Sequence, residues 1–330
     1  MKIRNKFFLF FILLGVIILG FVIFKTWFDK QVSPSLIKNQ NSVAPKDILD
    51  ERATLTHGPY THKVFSASSL DGLNWTVDDG VILEHASVPD VLLRPDGVLE
   101  IVYVDATKSP LEQVNCATYS NKEKQWTVKD CQIKGWENFR SVDPSLVQLP
   151  DGRYRLYSYV SKGDQEINSQ EDHFVRSAIS NDGINFVDEG VVFTYPGLVD
   201  PDVFWNGKEW EMLIFTLTEK GLIIATSSDG LSFEYKQDFP EKDFIIVQPV
   251  VLNDGTFRAY GFDVPDMKIF VSFTSNDGFT WIREEGIRLT ANEGKKITDP
   301  QAVLLPDGTW KMIFKEEDAG PSATAGKVKK

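Results

Sequence analysis

Beyond residue 60 the apolar positions come in short runs, such as residues 154–160 and 211–216, and each run stops at turn residues. The runs are rich in β-branched and aromatic side chains, which suits strands. No long stretch in this region carries the 3.6-residue period of an amphipathic helix. Asp-Gly pairs sit between the runs, at Asp71-Gly72, Asp96-Gly97, Asp151-Gly152, Asp182-Gly183, Asp229-Gly230, Asp254-Gly255, Asp277-Gly278 and Asp307-Gly308. Such a pair between alternating runs predicts a tight β-hairpin, because Gly accepts a positive φ and Asp bonds the nearby backbone.

The hairpins repeat. Ser275-Asn276-Asp277-Gly278-Phe279-Thr280-Trp281 has relatives beginning at Ser69, Ser180 and Ser227, and a degraded copy keeps only Ser120 and Trp126. A second phrase interleaves with it: Asp299-Pro300, apolar residues, Pro306-Asp307-Gly308, then residues 310–314, with relatives starting at Val88-Pro89, Asp143-Pro144, Asp200-Pro201 and Gln248-Pro249. A period of about fifty residues with two hairpins in each predicts four-stranded blades around a ring. The first half-repeat, from His62, is a second hairpin without a first, and the last, from Ile297, is a first hairpin without a second. Together they make one blade, so the expected fold is an all-β, five-bladed propeller closed by its two chain ends. Closure removes exposed sheet edges. The aromatic ending each outer phrase (Trp75, Trp126, Phe186, Phe233, Trp281) is expected to pack between blades.

The N-terminus is different. Residues 7–24 are apolar without interruption, with Lys2, Arg4 and Lys6 before them and Lys25 after. That length just spans a bilayer, and the leading basic residues orient the N-terminus to the cytoplasm. A cleaved signal peptide is the alternative, but Lys25-Thr26-Trp27-Phe28-Asp29 is a poor cleavage site. The expected organisation is a basic start and transmembrane signal-anchor helix at 1–29, a polar linker at 30–59, the propeller at 60–316 and a flexible tail at 317–330. The ring would then be a monomeric, extracytoplasmic domain of a single-pass membrane protein. A net charge of −12 argues against a nucleic-acid partner. Cys116 and Cys131 flank one outer hairpin, and export would let them oxidise, though sequence does not set the register that would bring them together. No further Cys or His lies at ligand spacing, so no metal site or cofactor is expected from them. A structural calcium held by Asp oxygens stays open.

Candidate chemistry gathers where five inner strands begin. Asp143, Asp200 and Asp299 hold equivalent positions, while Val88 and Gln248 replace them in the other two blades. Aligning Arg94-Pro95-Asp96-Gly97 with Leu149-Pro150-Asp151-Gly152 puts Asp90 two residues beyond the repeat position; a two-residue deletion would instead align it with Asp200, and both registers keep it near the channel mouth. Several carboxylates around one funnel suit glycoside hydrolysis, which needs one protonated acid and one ionised carboxylate. Crowded carboxylates can hold those two states apart. The structural alternative is that Asp before Pro merely satisfies local backbone groups.

Blade number, Asp-Pro strand starts and Asp-Gly hairpins together resemble the five-bladed glycoside hydrolases of families 43 and 32 and related furanosidases. The resemblance implies a catalytic set of Asp90, Asp143 and Asp200, with Asp90 as base and Asp143 or Asp200 as modulator. It also implies a carbohydrate site lined by His85, Arg140, Asp202, Gln248 and Asp299. The family's acid, a Glu at a later blade start, has no counterpart, since blade four offers Gln248 and Glu84 lies only near the rim. The outer phrase also resembles the sialidase Asp-box with one residue fewer, but the arginine triad of those enzymes does not assemble from Arg140, Arg153, Arg155 and Arg176. Two functions lead, a membrane-anchored hydrolase of glycosidic bonds or a catalytically silent propeller that binds a glycan or protein at the same mouth, with a sialidase-like hydrolase as a further alternative.

Overall fold

A computed structural model describes residues 58–107, 112–120, 125–162 and 172–319. The expected anchor lies outside these residues, as does nearly all of the expected linker and tail. Glu317 and Asp318, placed in the tail by the sequence, extend the last strand. No helix among the described residues is long and apolar enough to cross a membrane.

Five antiparallel sheets form the five blades. From the channel outward, blade one is Ala86–Leu93, Leu99–Asp105, Gln113–Ser120 and Gln125–Val128. Blade two is Phe139–Gln148, Tyr154–Lys162, Asp172–Ser180 and Asn185–Pro196, with Gln132–Lys134 added in parallel to its outer strand. Blade three is Leu198–Trp205, Trp210–Thr216, Leu222–Ser227 and Glu234–Asp238. In blade four the inner strand is broken into Phe244–Ile246 and Val250–Val251, followed by Phe257–Asp263, Ile269–Ser275 and Trp281–Arg283. Blade five takes Lys295–Leu304 and Trp310–Asp318 from the end of the chain, and Lys63–Ser69 and Trp75–Val77 from its start. Lys63 pairs with Glu316 and Ser69 with Trp310, so both chain ends close the ring in one sheet.

Each Ser-x-Asp-Gly turn is built alike. The Ser69 hydroxyl accepts the Gly72 N–H at 2.9 Å, while Asp71 Oδ1 accepts the N–H groups of Leu73 and Asn74, both at 2.8 Å. Asp182, Asp229 and Asp277 repeat the pattern. Backbone N–H donation holds these carboxyls below their ordinary range. Each turn backs onto the second strand of the preceding blade. Tyr157 donates to the Gly230 carbonyl at 2.9 Å and Tyr260 to the Gly72 carbonyl at 2.7 Å. The aromatic ending the phrase packs there too: Trp75 meets Tyr260 edge-on at 5.5 Å, and Phe233 meets Tyr157 at 6.0 Å.

Cys116 and Cys131 form a disulfide with their Cα atoms 5.5 Å apart. It fastens the third strand of blade one to the connector that joins blade two. For a separation of 15 residues, loop entropy lost from the unfolded chain is worth about 3 kcal/mol. Reduction should therefore lower unfolding stability by about that amount, measured in urea with and without dithiothreitol, and no change would discount the bond.

Candidate functional site at the channel mouth

Bulges at the inner strand starts create the site. Register shifts fall between Ser87 and Asp90, between Val142 and Ser145, between Val199 and Pro201, and between Thr298 and Gln301. At each bulge the residue before Pro takes a left-handed conformation: Val88 at φ 43°, Asp143 at 53°, Asp200 at 48° and Asp299 at 56°. Asp tolerates this conformation and a β-branched Val does not, so Val88 is strained. The shared bulge fixes the ungapped register for blade one. Val88 is therefore the equivalent of the three Asp residues, and Asp90 is the equivalent of Ser145, Asp202, Val250 and Gln301.

Those two positions form two layers. In the upper layer Asp143, Asp200 and Asp299 border a small space together with Val88, Pro89, Ile245 and Val247; at about 10 Å³ it has room for roughly one water. The Asp200 N–H donates to Asp143 Oδ2 at 3.3 Å. Asp299 Oδ2 accepts the Thr298 hydroxyl at 2.7 Å and lies 3.4 Å from the Lys315 ammonium. Burial, then the neighbouring Asp143 and Asp299 charges, hold the Asp200 carboxyl well above the ordinary range. Burial also pushes Asp143 up, to about 6, against the Asp200 N–H that favours its charge. Burial works against the Lys315 charge, but Asp299, Glu317 and Asp200 together keep its pKa above the ordinary lysine value.

The lower layer stitches blades together. Asp90 is 1% exposed, and its oxygens accept the N–H groups of Val91 at 2.7 Å and Leu146 of blade two at 2.6 Å. Ser145 does the same for Val203 of blade three at 2.9 Å, and Gln301 donates across to Asp202 at 2.6 Å. Burial pushes Asp90 up to about 7 and Asp202 well above its ordinary value. Asp90 thus sits beneath the space that the upper carboxylates share. Asp90→Asn should cost about 1–3 kcal/mol, because its amide NH₂ would face a backbone N–H. Asp90→Ser, copying Ser145, should cost less. Urea unfolding below pH 7, where the carboxyl is protonated, checks the order of the two.

The other sequence candidates spread out. His85 stacks on Tyr60 at 4.0 Å, its Nδ1 2.5 Å from the Tyr60 carbonyl, on the blade-one rim. Arg140 is held by Glu112 at 2.8 Å. Gln248 sits in the break of the blade-four inner strand, and its buried Oε1 has no partner among the described residues. Glu84 pairs with Lys63, away from the mouth. Arg153, Arg155 and Arg176 engage Asp151, Glu189 and Asp188 respectively, so with Arg140 on Glu112 these four arginines face four separate carboxylates. Lys315 and the bulges were not singled out in the sequence. A lysine in a run of second-strand residues that faces three repeated Asp-Pro starts was the available signal for the former.

No protein-family model matches the chain, and no curated protein matches it in sequence. Solved structures do match in shape. A thermostable family-43 glycoside hydrolase superposes with TM-score 0.54 at 10% identity, covering 72% of this chain and 93% of that one. The fold is the five-bladed propeller of the family 43 glycoside hydrolases. An endo-1,4-beta-xylanase from Bacteroides thetaiotaomicron gives 0.54 at 14% identity, covering 69% and 84%. A protein of unknown function from Dyadobacter fermentans gives 0.54 at 15% identity, covering 85% and 86%. At such identities the similarity establishes architecture alone.

Proposed function

We propose that the protein is a glycoside hydrolase-like propeller acting on glycosidic bonds at the channel mouth. The observation that carries this is the convergence of Asp143, Asp200 and Asp299 on one space, with one of them ion-paired to Lys315. Hydrolysis of an acetal needs a proton for the leaving oxygen and an anion to deliver water or attack the anomeric carbon. Asp200, with the protonated form favoured by burial and two neighbouring carboxylates, is the proton donor. Asp299, 3.4 Å from the Lys315 ammonium, is the base or nucleophile, and Asp143 sets the affinity of Asp200 for its proton. In this reading Asp90 and Asp202 hold the floor of the site. The apolar run at 7–24 and the disulfide support a membrane-anchored, extracytoplasmic setting.

The wild type and Asp143→Asn should be compared on aryl arabinofuranosides, xylosides, galactosides, fructosides and sialosides across pH. Removing the Asp143 charge lets Asp200 ionise more readily, so the alkaline limb should move down by about one pH unit or more. Wild-type failure on the whole panel would favour the second reading, a silent glycan-binding propeller. Specific observations favour that reading too: Val88 and Gln248 stand where the other blades have Asp, and the space among the carboxylates is small.

A further inference from the structure

At one fixed place the second strand of every blade carries a charged side chain: Glu100, Arg155, Glu211, Arg258 and Lys311. The first four of these face the outer turn of the next blade. Gly183 and Gly278 lie against Glu100 and Glu211, while Gly230 and Gly72 lie against the Arg155–Tyr157 and Arg258–Tyr260 pairs. The arginine seams are satisfied. Arg155 and Arg258 each donate twice to a carboxylate, Glu189 and Glu284 respectively. Each also reaches across its seam, Arg155 to the Asp229 carbonyl at 3.2 Å and Arg258 to the Asp71 carbonyl at 3.3 Å.

Glu211, between blades three and four, is not satisfied. It is fully buried, and its Oε1 accepts the Asn206 side-chain amide. Its buried Oε2 has no partner among the described residues. Both oxygens press on Gly278: a Cβ there would lie 2.9 Å from Oε2 and closer still to Oε1. The charged groups facing Glu211 are Glu209 on its own hairpin, Asp277 in the blade-four turn and Lys236 on the outer strand of blade three. Lys236 lies over the Phe279 ring, 5.3 Å from its centre. Glu100 holds the same place in blade one, but there Arg94 stands 3.9 Å away.

A neutral carboxyl rests in such a place at little cost. An ionised one would hold an oxygen without a donor, out of water and beside two like charges. We infer that Glu211 is a protonation latch on the blade-three to blade-four seam: neutral, it seats the outer turn of blade four against blade three, and ionised, it releases that turn and draws water in. Burial, against the Asn206 amide, pushes the carboxyl up to about 7, and Glu209 and Asp277 add to the rise. The folded seam therefore binds the proton more tightly than the unfolded chain does. Its stabilising contribution is whole in acid, at the ordinary carboxyl value and below, and is lost as pH climbs to about 7. The latch belongs to the seam and does not depend on hydrolysis at the mouth.

The test uses the full-length chain and Glu211→Gln, the neutral isostere, both unfolded in urea between about pH 5 and pH 8. Asp90 and Asp143 titrate in both proteins, so comparing the two cancels them. Over that range the unfolding constant of the wild type should rise by about tenfold or more relative to Glu211→Gln. Amide exchange, with intrinsic rates divided out, then locates the effect. The Phe279 and Thr280 N–H groups, which donate to Asp277, should open with rising pH in the wild type. The reference is the arginine-held blade-five turn, where the Leu73 and Asn74 N–H groups donate to Asp71. In Glu211→Gln the ratio of the two turns should stay constant. Parallel pH profiles for the two proteins overturn the latch, as does an exchange ratio that ignores pH or shifts equally in both. Should Glu211→Gln not fold, the wild-type ratio decides alone: a rise with pH supports the latch and a constant ratio overturns it.

Discussion

Asp200→Asn should lower kcat on whichever aryl glycoside proves a substrate by about 10²–10⁴, the usual contribution of a positioned proton donor. The isosteric amide keeps the shape of the bulge but cannot supply the proton. Stability should hold, because burial and two nearby carboxylates already favour the neutral acid, which the amide replaces without change of charge. Steady-state kinetics and thermal unfolding on the same preparation separate the two effects. Activity within about threefold of wild type would remove Asp200 from the chemistry. A loss that tracks unfolding would make it a structural residue.

The largest effect on stability is expected at Gly278→Val. Gly278 has φ 81°, and a Cβ there would lie 2.1 Å from Glu211 Oε1. Glu211 is fully buried, held by Asn206, and pushed up to about 7 chiefly by burial. A branched side chain meets both the left-handed backbone penalty, about 1–2 kcal/mol, and overpacking, about 1–3 kcal/mol. The seam between blades three and four should loosen, with a total loss of about 3 kcal/mol or more. Gly308→Val is the control: φ is 84°, but nothing lies within 4 Å of the added atom. It should cost only the backbone part, about 1–2 kcal/mol. Equal urea midpoints for the two variants would show that the outer turns do not weld the blades.

Much of this architecture was legible in the sequence, because turn chemistry is local. The Asp-Gly hairpins and Pro-containing strand starts carried blade number, strand order and ring closure without any knowledge of packing. The ungapped register of blade one was legible from its Asp-Gly hairpin, but the strain at Val88 was not, since its side chain disfavours the conformation it occupies. The contact that Asp90 makes with blade two was hidden. Its partner, the Leu146 N–H, belongs to the next blade and is 56 residues away, so the contact depends on how blades stagger. Glu100 and Glu211 were overlooked as well, although each interrupts an apolar second strand at the position that carries Arg155, Arg258 and Lys311 in the other blades. A charge at one fixed place in all five repeats was the signal that it faces a neighbouring blade rather than solvent.

Closure of the ring in blade five carries a consequence for how the chain reaches its fold. Lys311 and Ser68, bonded across the closing sheet, are 243 residues apart in sequence. During synthesis the hairpin from Lys63 to Val77 emerges first and waits, with an unpaired edge, until nearly the whole domain has been made. Blades one to four can assemble in order behind it, but the circle stays open until Trp310–Asp318 leaves the ribosome and takes its place beside Lys63–Ser69. Pairing across so long a separation is slow, so the last-made strand governs when the whole ring becomes safe from edge-to-edge aggregation.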